Sequence, residues 1–215
     1  MRLKTLWITL FLLFLFGCAE KSVEEEISSR LTEAVILEES FQEQQEKIID
    51  LETEEQNIYN KIVVNEDIDE MEIKELSQEA IDSISERAEE VKKEKESIEA
   101  SRAKFEEVEE LLDELDDPET KKYAEEMYNR MEDRYEAYDS LYTAYQQTLE
   151  LEKELYEMFL NEPVQKELTN HIKKVNESYE QVLTANEEFN TYTVEYNELK
   201  EKFYEESSLP EESDS

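Results

Sequence analysis

Glycine, cysteine, histidine and tryptophan are almost absent from this chain of 215 residues, each occurring once. The single glycine, Gly17, lies in an N-terminal apolar stretch, so the rest of the chain has no residue that adopts a positive φ angle at low cost. This disfavours tight hairpins and the glycine loops on which Rossmann and P-loop nucleotide sites are built. It also disfavours most β-barrels and β-sandwiches.

The lone histidine, His171, excludes several kinds of metal and catalytic site. Di-iron bundles need paired Glu-x-x-His motifs, whereas here Leu168 stands three residues before His171. Two-histidine zinc motifs are excluded, and a Ser-His-Asp triad is disfavoured. We interpret His171 as a partly buried packing residue. Asp67 and Asp69 resemble part of a calcium loop, but the glycine at the bend is missing, so we predict neither a metal site nor a cofactor.

Acidic residues dominate the composition, with 60 Asp and Glu against 23 Lys and Arg and a formal net charge of -37. Such a chain repels nucleic acid and anionic lipid headgroups, and no basic patch is present, so we exclude a nucleic-acid partner. The many carboxylates make any single catalytic pair uninformative. The long helices and short loops that the apolar repeats predict, described below, would also offer no cleft for a sugar. We therefore predict that the protein is not an enzyme.

The first 17 residues have the features of a signal peptide. Arg2 and Lys4 precede an apolar run over residues 6–16, which is too short to span a bilayer as a helix. The following Leu15-Phe16-Gly17-Cys18 resembles a bacterial lipobox. In that class of signal the chain is cut between Gly17 and Cys18, and the Cys18 sulfur receives a diacylglycerol.

Two acyl chains on one cysteine would hold the protein stably on a membrane. We therefore predict a membrane partner through the diacylglyceryl group on Cys18, at the outer face of the bacterial cell membrane. Cys18 is the single cysteine, so an intramolecular disulfide is impossible.

The remaining chain carries apolar residues at seven-residue spacing in four segments, near 22–64, 70–116, 118–160 and 163–206. This spacing is typical of packed helices. Glu55 interrupts the first repeat, and the companion positions Arg87, Glu94 and Ser101 in the second segment are polar, so we expect a narrow, hydrated seam there. The repeat residues are Ile27, Ala34, Phe41, Ile48 and Ile62; Ile84, Val91, Ile98, Phe105 and Leu112; Ala124, Met131, Tyr138, Tyr145 and Phe159; and Leu168, Val175, Val182, Phe189, Tyr196 and Phe203.

Helix boundaries are indicated by capping residues. Ser22, Asp69 and Asp117 suit N-caps, and Asn161 suits the cap of a helix that begins near Pro163. The sequence therefore predicts an all-α, elongated up-and-down four-helix bundle over residues 18–206, followed by a disordered acidic tail at 207–215. The alternative is a three-helix bundle in which the third and fourth segments fuse through Pro163.

Tyrosines form the one unusual pattern. Tyr128, Tyr135 and Tyr142 repeat every seven residues beside the third seam. The general interpretation is that their rings pack at the rim of the core with hydroxyls in water. The specific hypothesis is an exposed aromatic ladder that stacks on sugar rings or contacts a protein partner.

Four features together define a resemblance to a known family. They are the lipobox, the acidic glycine-free body, the four heptad segments, and stretches such as Glu119-Thr-Lys-Lys-Tyr-Ala and Tyr135-Glu-Ala-Tyr-Asp-Ser-Leu-Tyr. The chain resembles the YkyA-type cell-wall-binding lipoproteins of Gram-positive bacteria over essentially its whole length. The resemblance implies a four-helical up-and-down bundle, exposure at the cell surface and association with the wall, with no catalytic residues to assign.

We therefore expect a non-catalytic, membrane-anchored surface lipoprotein that binds peptidoglycan or acts as an envelope spacer. The alternative is an extracytoplasmic scaffold or chaperone-like lipoprotein that binds envelope proteins. Exposed apolar surface along the seam of Arg87, Glu94 and Ser101 would favour this alternative.

Overall fold

The computed structural model describes residues 21–64, 67–161 and 165–209, which are α-helical and contain no β-strand. The predicted signal peptide with Gly17 and Cys18 lies outside these residues, as does Pro163. The elements are α1 (Val23–Leu37), α2 (Glu39–Val64), α3 (Glu70–Phe105), a 3₁₀ turn (Glu106–Val108), α4 (Glu109–Leu112), α5 (Pro118–Leu160) and α6 (Gln165–Ser207).

The helices form four segments that run alternately up and down. The first segment, α1 with α2, packs on α3; α3 packs on α5; and α5 packs along its length on α6. The hydroxyls of Ser28 in α1 and Tyr204 in α6 lie 2.9 Å apart and join the first segment to the last. The predicted four-helix bundle is confirmed. The fused alternative is wrong, because α5 ends at Leu160 and a separate α6 begins at Gln165.

Side-chain caps begin three of the segments. Ser22 and Glu25 form the predicted capping box, each side chain bonding the other's backbone N–H. Asp69 accepts from the N–H of Glu72 at 2.9 Å. Asp117 accepts from the N–H groups of Glu119 and Thr120, and Pro118 occupies the first turn, where its missing N–H is not needed.

Asn161 does not begin a helix, contrary to the prediction. It is the C-cap of α5, and its side-chain amide donates to the carbonyl of Glu157 at 2.8 Å. A carbonyl of the last turn of a helix lacks an intrahelical donor, and the Asn161 amide supplies one.

The first segment is interrupted at Glu38, where the sequence predicts a continuous helix. The N–H of Glu38 bonds the carbonyl of Val35, and the N–H of Phe41 bonds the carbonyl of Glu38, both at 2.9 Å. These i→i+3 bonds tighten the chain locally. The Glu38 carboxylate accepts from both Nη1 and Nη2 of Arg134, at 3.0 and 2.7 Å. A bidentate pair of this kind is a strong charge-assisted contact.

The core has two parts, one in each half of the bundle. Beside α1 the four segments close around a large cluster that includes Ile27, Phe105, Phe189 and Phe203. Beside α2 a smaller cluster contains Ile58, Ile84 and Tyr156. The start of α1 and the end of α6 share one end of the molecule, whereas the end of α2, the start of α3, the end of α5 and the start of α6 lie toward the other end.

The end of α6 shows how the chain manages without glycine. Ser208 takes a φ of 56°, the left-handed conformation that glycine usually supplies after a helix. Leu209 then packs against the core beside α1, so the packed chain extends past the predicted boundary at residue 206. Residues 210–215 of the predicted tail lie outside the described residues.

Candidate functional site

The three tyrosines of the predicted ladder lie at different depths. Tyr135 is 1% exposed and its hydroxyl lies 2.9 Å from Ser101 Oγ. Tyr128 is half-buried and stacks on Phe105 with ring centroids 5.4 Å apart; burial raises the pKa of its hydroxyl to about 12. The prediction of an exposed ladder of three tyrosine rings is therefore wrong, because the middle ring, Tyr135, belongs to the core.

Tyr142 is the member of the ladder that borders open space. It is half-buried, and the ammonium of Lys95 lies 5.8 Å from its ring centroid. Together with Leu141 and Tyr145 it lines a cavity of about 240 Å³ beside α2 and α6.

The polar seam of α3 is buried rather than hydrated, which corrects the expectation from sequence. Arg87, Glu94 and Ser101 are 1%, 4% and 0% exposed. Each meets a polar residue of the first segment, and the partners are also spaced by seven residues, as antiparallel helices require. The pairs are Ser101 with Glu38 at 2.7 Å, Glu94 with Gln45, and Arg87 with Glu52 at 3.8 Å.

Tyrosines of α5 complete these polar layers. Ser101 donates its single hydroxyl proton to Glu38, so Tyr135 must donate to Ser101. Tyr138 donates to Glu94 at 2.8 Å. The polar seam residues are thus bonded internally, while the exposed apolar side chains of Ile49 and Leu183 line the same cavity as Glu94.

The layer around Arg87 carries the most charge. Nη2 of Arg87 lies 2.7 Å from Oε2 of Glu55 and also donates to Glu152. Tyr145 donates to Glu52 at 2.5 Å, and its ring lies 5.7 Å from the guanidinium carbon of Arg87. Three carboxylates thus surround one guanidinium.

The excess of carboxylates over guanidinium charge in this layer shifts the pKa values of its side chains. Burial, together with the nearby charge of Glu152, raises the pKa of Glu55 to about 7 against the opposing attraction of Arg87. Burial also raises the pKa of Glu152 above its ordinary value. Although burial opposes the charge of Arg87, Glu152 and the acids around it raise the pKa of Arg87 still further, so the guanidinium stays protonated.

A groove between α2 and α6 opens onto this layer. A cavity of about 150 Å³ is bordered by carboxylates, tyrosine rings and apolar side chains. It shares Glu52 and Tyr179 with the cavity beside Tyr142, so the two cavities adjoin. The lining residues of the smaller cavity are Glu52, Glu55, Gln56, Tyr59, Glu152, Leu155, Tyr156, Ile172, Val175, Asn176 and Tyr179.

The groove corrects the expectation that such a bundle has no cleft. It lies in the half of the bundle beside α2, and its α2 side extends from Gln45 to Tyr59, about 21 Å at 1.5 Å per residue. We name it the α2–α6 groove, and its smaller cavity the Glu55 pocket. Glu55 and Arg87 are visible in the sequence as charges at repeat positions. Glu152 carries the same signal, since it occupies the repeat position between Tyr145 and Phe159, although it was not among the predicted site residues, whereas Tyr179 had no such signal.

His171 is buried and packs as predicted. Its Nε2 lies 2.7 Å from the carbonyl oxygen of Leu151, so Nε2 carries the proton. Within the described residues no group of His, Cys, Asp and Glu side chains is arranged to hold a metal ion.

The family assignment follows from comparison with known proteins. The family model described as "Putative cell-wall binding lipoprotein" and named YkyA matches residues 22–206, the whole four-segment bundle. This chain belongs to the YkyA family. A relative in this family, the "Uncharacterized lipoprotein YkyA" of Bacillus subtilis (strain 168), is 32% identical over 193 residues, which cover 89% of this chain and 86% of the relative.

A solved structure shares the fold of this YkyA-family chain. It is the 1.6 Å crystal structure of a conserved protein of unknown function from Staphylococcus aureus, with a TM-score of 0.71. The match covers 87% of this chain and 98% of that one at 15% sequence identity, so the likeness concerns the fold alone.

In the part of the chain that the structure describes, every helix is too short or too polar to cross a bilayer.

Proposed function

We propose that this protein is a non-catalytic lipoprotein, anchored through Cys18 at the outer face of the bacterial cell membrane, that binds peptidoglycan in the α2–α6 groove. The family description supports the association with the wall. The lipobox from Leu15 to Cys18 supports the anchor. The observation that carries the proposal is the groove itself, two adjoining cavities whose linings combine tyrosine rings, carboxylates, amides and apolar side chains.

The position of the groove suits this role. The start of α1 lies a few residues from Cys18, and the groove begins near Gln45 on α2. The helical rise between Ser22 and Gln45 is about 35 Å. A protein tethered at Cys18 would therefore hold the groove well clear of the lipid headgroups.

The charge of the chain restricts what part of the wall can bind. With a formal net charge of -37, the body repels polyanions such as teichoic acids unless divalent cations bridge the two. Binding therefore goes to glycan strands or peptide stems.

Glycoside hydrolysis is the competing use of a carboxylate-lined pocket. A hydrolase places its two carboxyl groups on either side of the scissile bond. Glu55 and Glu152 instead both contact Nη2 of Arg87, side by side on one guanidinium. We therefore expect no release of reducing ends from peptidoglycan.

Sedimentation tests the wall-binding proposal. The full chain in non-ionic detergent should pellet with peptidoglycan that has been stripped of teichoic acid. Less of it should pellet with intact wall, and added Ca²⁺ should restore pelleting with intact wall. Asn176→Trp, which places a large ring at the edge of the Glu55 pocket, should reduce pelleting. Asn197→Trp, an exposed position three heptads along α6, is the matched control. Equal sedimentation with and without peptidoglycan would refute wall binding.

Metabolic labelling tests the anchor. Cells given an alkyne-tagged fatty acid should label the wild-type protein and not Cys18→Ala, and the variant should be released from the membrane fraction. Labelling that persists in Cys18→Ala would refute the assignment of Cys18.

A further inference from the structure

We infer that the Glu55 pocket binds a primary ammonium group carried on an alkyl stem, as in a lysine-type side chain of a wall peptide. This inference deepens the proposed function, on which it rests for the source of the ligand. It depends on four features of the pocket: its charge, its unused hydrogen-bonding capacity, its aromatic walls and its size.

The charge of the pocket is negative on the side that a ligand would meet. Glu52, Glu55 and Glu152 line it, and the described lining residues include no lysine or arginine. Arg87 lies behind the carboxylates at 1% exposure and compensates one of the three. An anionic ligand would be repelled, whereas a cation would favour the ionised forms of Glu55 and Glu152, whose pKa values burial raises.

The hydrogen-bonding capacity of Glu55 is incompletely used. Its Oε2 lies 2.7 Å from Arg87 Nη2, which also donates to Glu152, so two buried carboxylates share one donor nitrogen. Glu55 is 7% exposed. An ionised carboxylate has about four acceptor sites, so both acids keep sites that Arg87 does not fill, and an ammonium group brings three donors.

Aromatic and apolar side chains form the remaining walls. Tyr59, Tyr156 and Tyr179 border the pocket, and ring faces of this kind attract ammonium groups. Leu155, Ile172 and Val175 add an apolar surface suited to methylene groups. A cavity of about 150 Å³ holds a group about the size of benzene, close to an aminoalkyl side chain.

A matched series of small ligands tests the inference by calorimetry on the full chain in detergent. Nα-acetyl-lysine amide and cadaverine carry the ammonium group. Nα-acetyl-norleucine amide lacks it, and Nα,Nε-diacetyl-lysine amide neutralises it. We expect binding of the two amines and at least tenfold weaker binding of the neutral analogues. Tighter binding of the lysine derivative than of cadaverine identifies a peptide, and the reverse order identifies a free amine and overturns the wall-peptide source.

Variants locate the site. Glu55→Gln keeps the shape of the side chain and should weaken amine binding at least tenfold, whereas Glu54→Gln changes an exposed neighbour and should not. Asn176→Trp should block the pocket from its exposed edge without altering the buried layer. Far-UV circular dichroism checks that each variant is folded. Equal binding of charged and neutral ligands, or undiminished amine binding in both Glu55→Gln and Asn176→Trp, would overturn the inference.

The outcome is separable from that of the proposed function. If the chain pellets with peptidoglycan but does not bind the amines, wall binding stands and the pocket assignment fails. If it binds the amines but does not pellet, the pocket assignment stands and wall binding fails.

Discussion

Nη2 of Arg87 lies 2.7 Å from Oε2 of Glu55 and joins two charged heptad positions, one on α3 and one on α2. Glu152 of α5 reaches the same nitrogen. Buried charges of this kind contribute little net stability, because their attraction is offset by the cost of removing them from water. They do restrict the register of the helices, since sliding one helix by a heptad would leave a buried charge without its partner.

Removal of Arg87 tests this layer. Arg87→Ala should lower the free energy of unfolding by about 3–5 kcal/mol, because Glu55 and Glu152 would be left buried without a compensating charge. Urea denaturation followed by circular dichroism measures the change. Lys173→Ala removes an exposed ion pair with Glu177 and should cost at most about 1 kcal/mol. A loss as small as that of Lys173→Ala would show that Arg87 is not needed to balance the buried acids.

Lowering the pH from about 8 to about 5 should stabilise the protein. The folded state raises the pKa of Glu55 from 4.5 to about 7, so the folded chain binds a proton more tightly than the unfolded chain does. Stability from this group is fully present below pH 4.5 and is lost as the pH rises through about 7. Burial raises the pKa of Glu94 in the same direction, against hydrogen bonds from Tyr138 and Gln45.

Urea midpoints measured across this pH range provide the check. Glu55→Gln should flatten the dependence and raise stability at pH 8, because the amide carries no charge to bury. A wild-type midpoint that rises steadily from pH 5 to pH 8 would contradict the assignment.

Added salt should also stabilise the protein. The formal net charge of -37 creates mutual repulsion that is relieved in the expanded unfolded chain. Raising NaCl from about 10 mM to about 300 mM shortens the screening length and should raise Tm. The effect should shrink near pH 4.5, where many carboxylates are protonated. A Tm that falls steadily over this range would show that favourable ion pairs outweigh the repulsion.

Alanine substitutions should separate the three tyrosines of the predicted ladder. Tyr135→Ala should cost about 3–5 kcal/mol of unfolding free energy, because it opens a cavity beside Phe105 and leaves Ser101 without its donor. Tyr142→Ala should cost much less and should affect binding to the wall, since Tyr142 borders the α2–α6 groove. Comparable destabilisation by both variants would show that the two rings have equivalent roles.

Most of the bundle could be predicted because its determinants are local. The capping box of Ser22, the caps at Asp69 and Asp117, and the apolar repeat of α6 are all signals within a few turns of helix. The interruption at Glu38 could not be predicted, because its partner Arg134 lies 96 residues away. The depth of each tyrosine was also hidden, because it depends on contacts with a separate helix: Tyr128 stacks on Phe105 of α3, whereas the hydroxyl of Tyr135 reaches Ser101 in the core.

The site was harder to predict than the fold. Glu55, Arg87, Glu94 and Ser101 are visible in the sequence as polar residues at repeat positions, but their pairing depends on the register between antiparallel helices. The groove depends on the spacing between α2 and α6, which no repeat within either helix specifies.

The shared end of α1 and α6 has a consequence for how the protein would face its surroundings. With Cys18 in the bilayer, the end of α5 and the start of α6 would form the outermost tip, about 65 Å away for helices of 43 residues. An epitope inserted at that tip would be reached by antibody before one fused after Ser207. Surface labelling of intact cells would thereby measure how deeply the rod penetrates the overlying polymer layer.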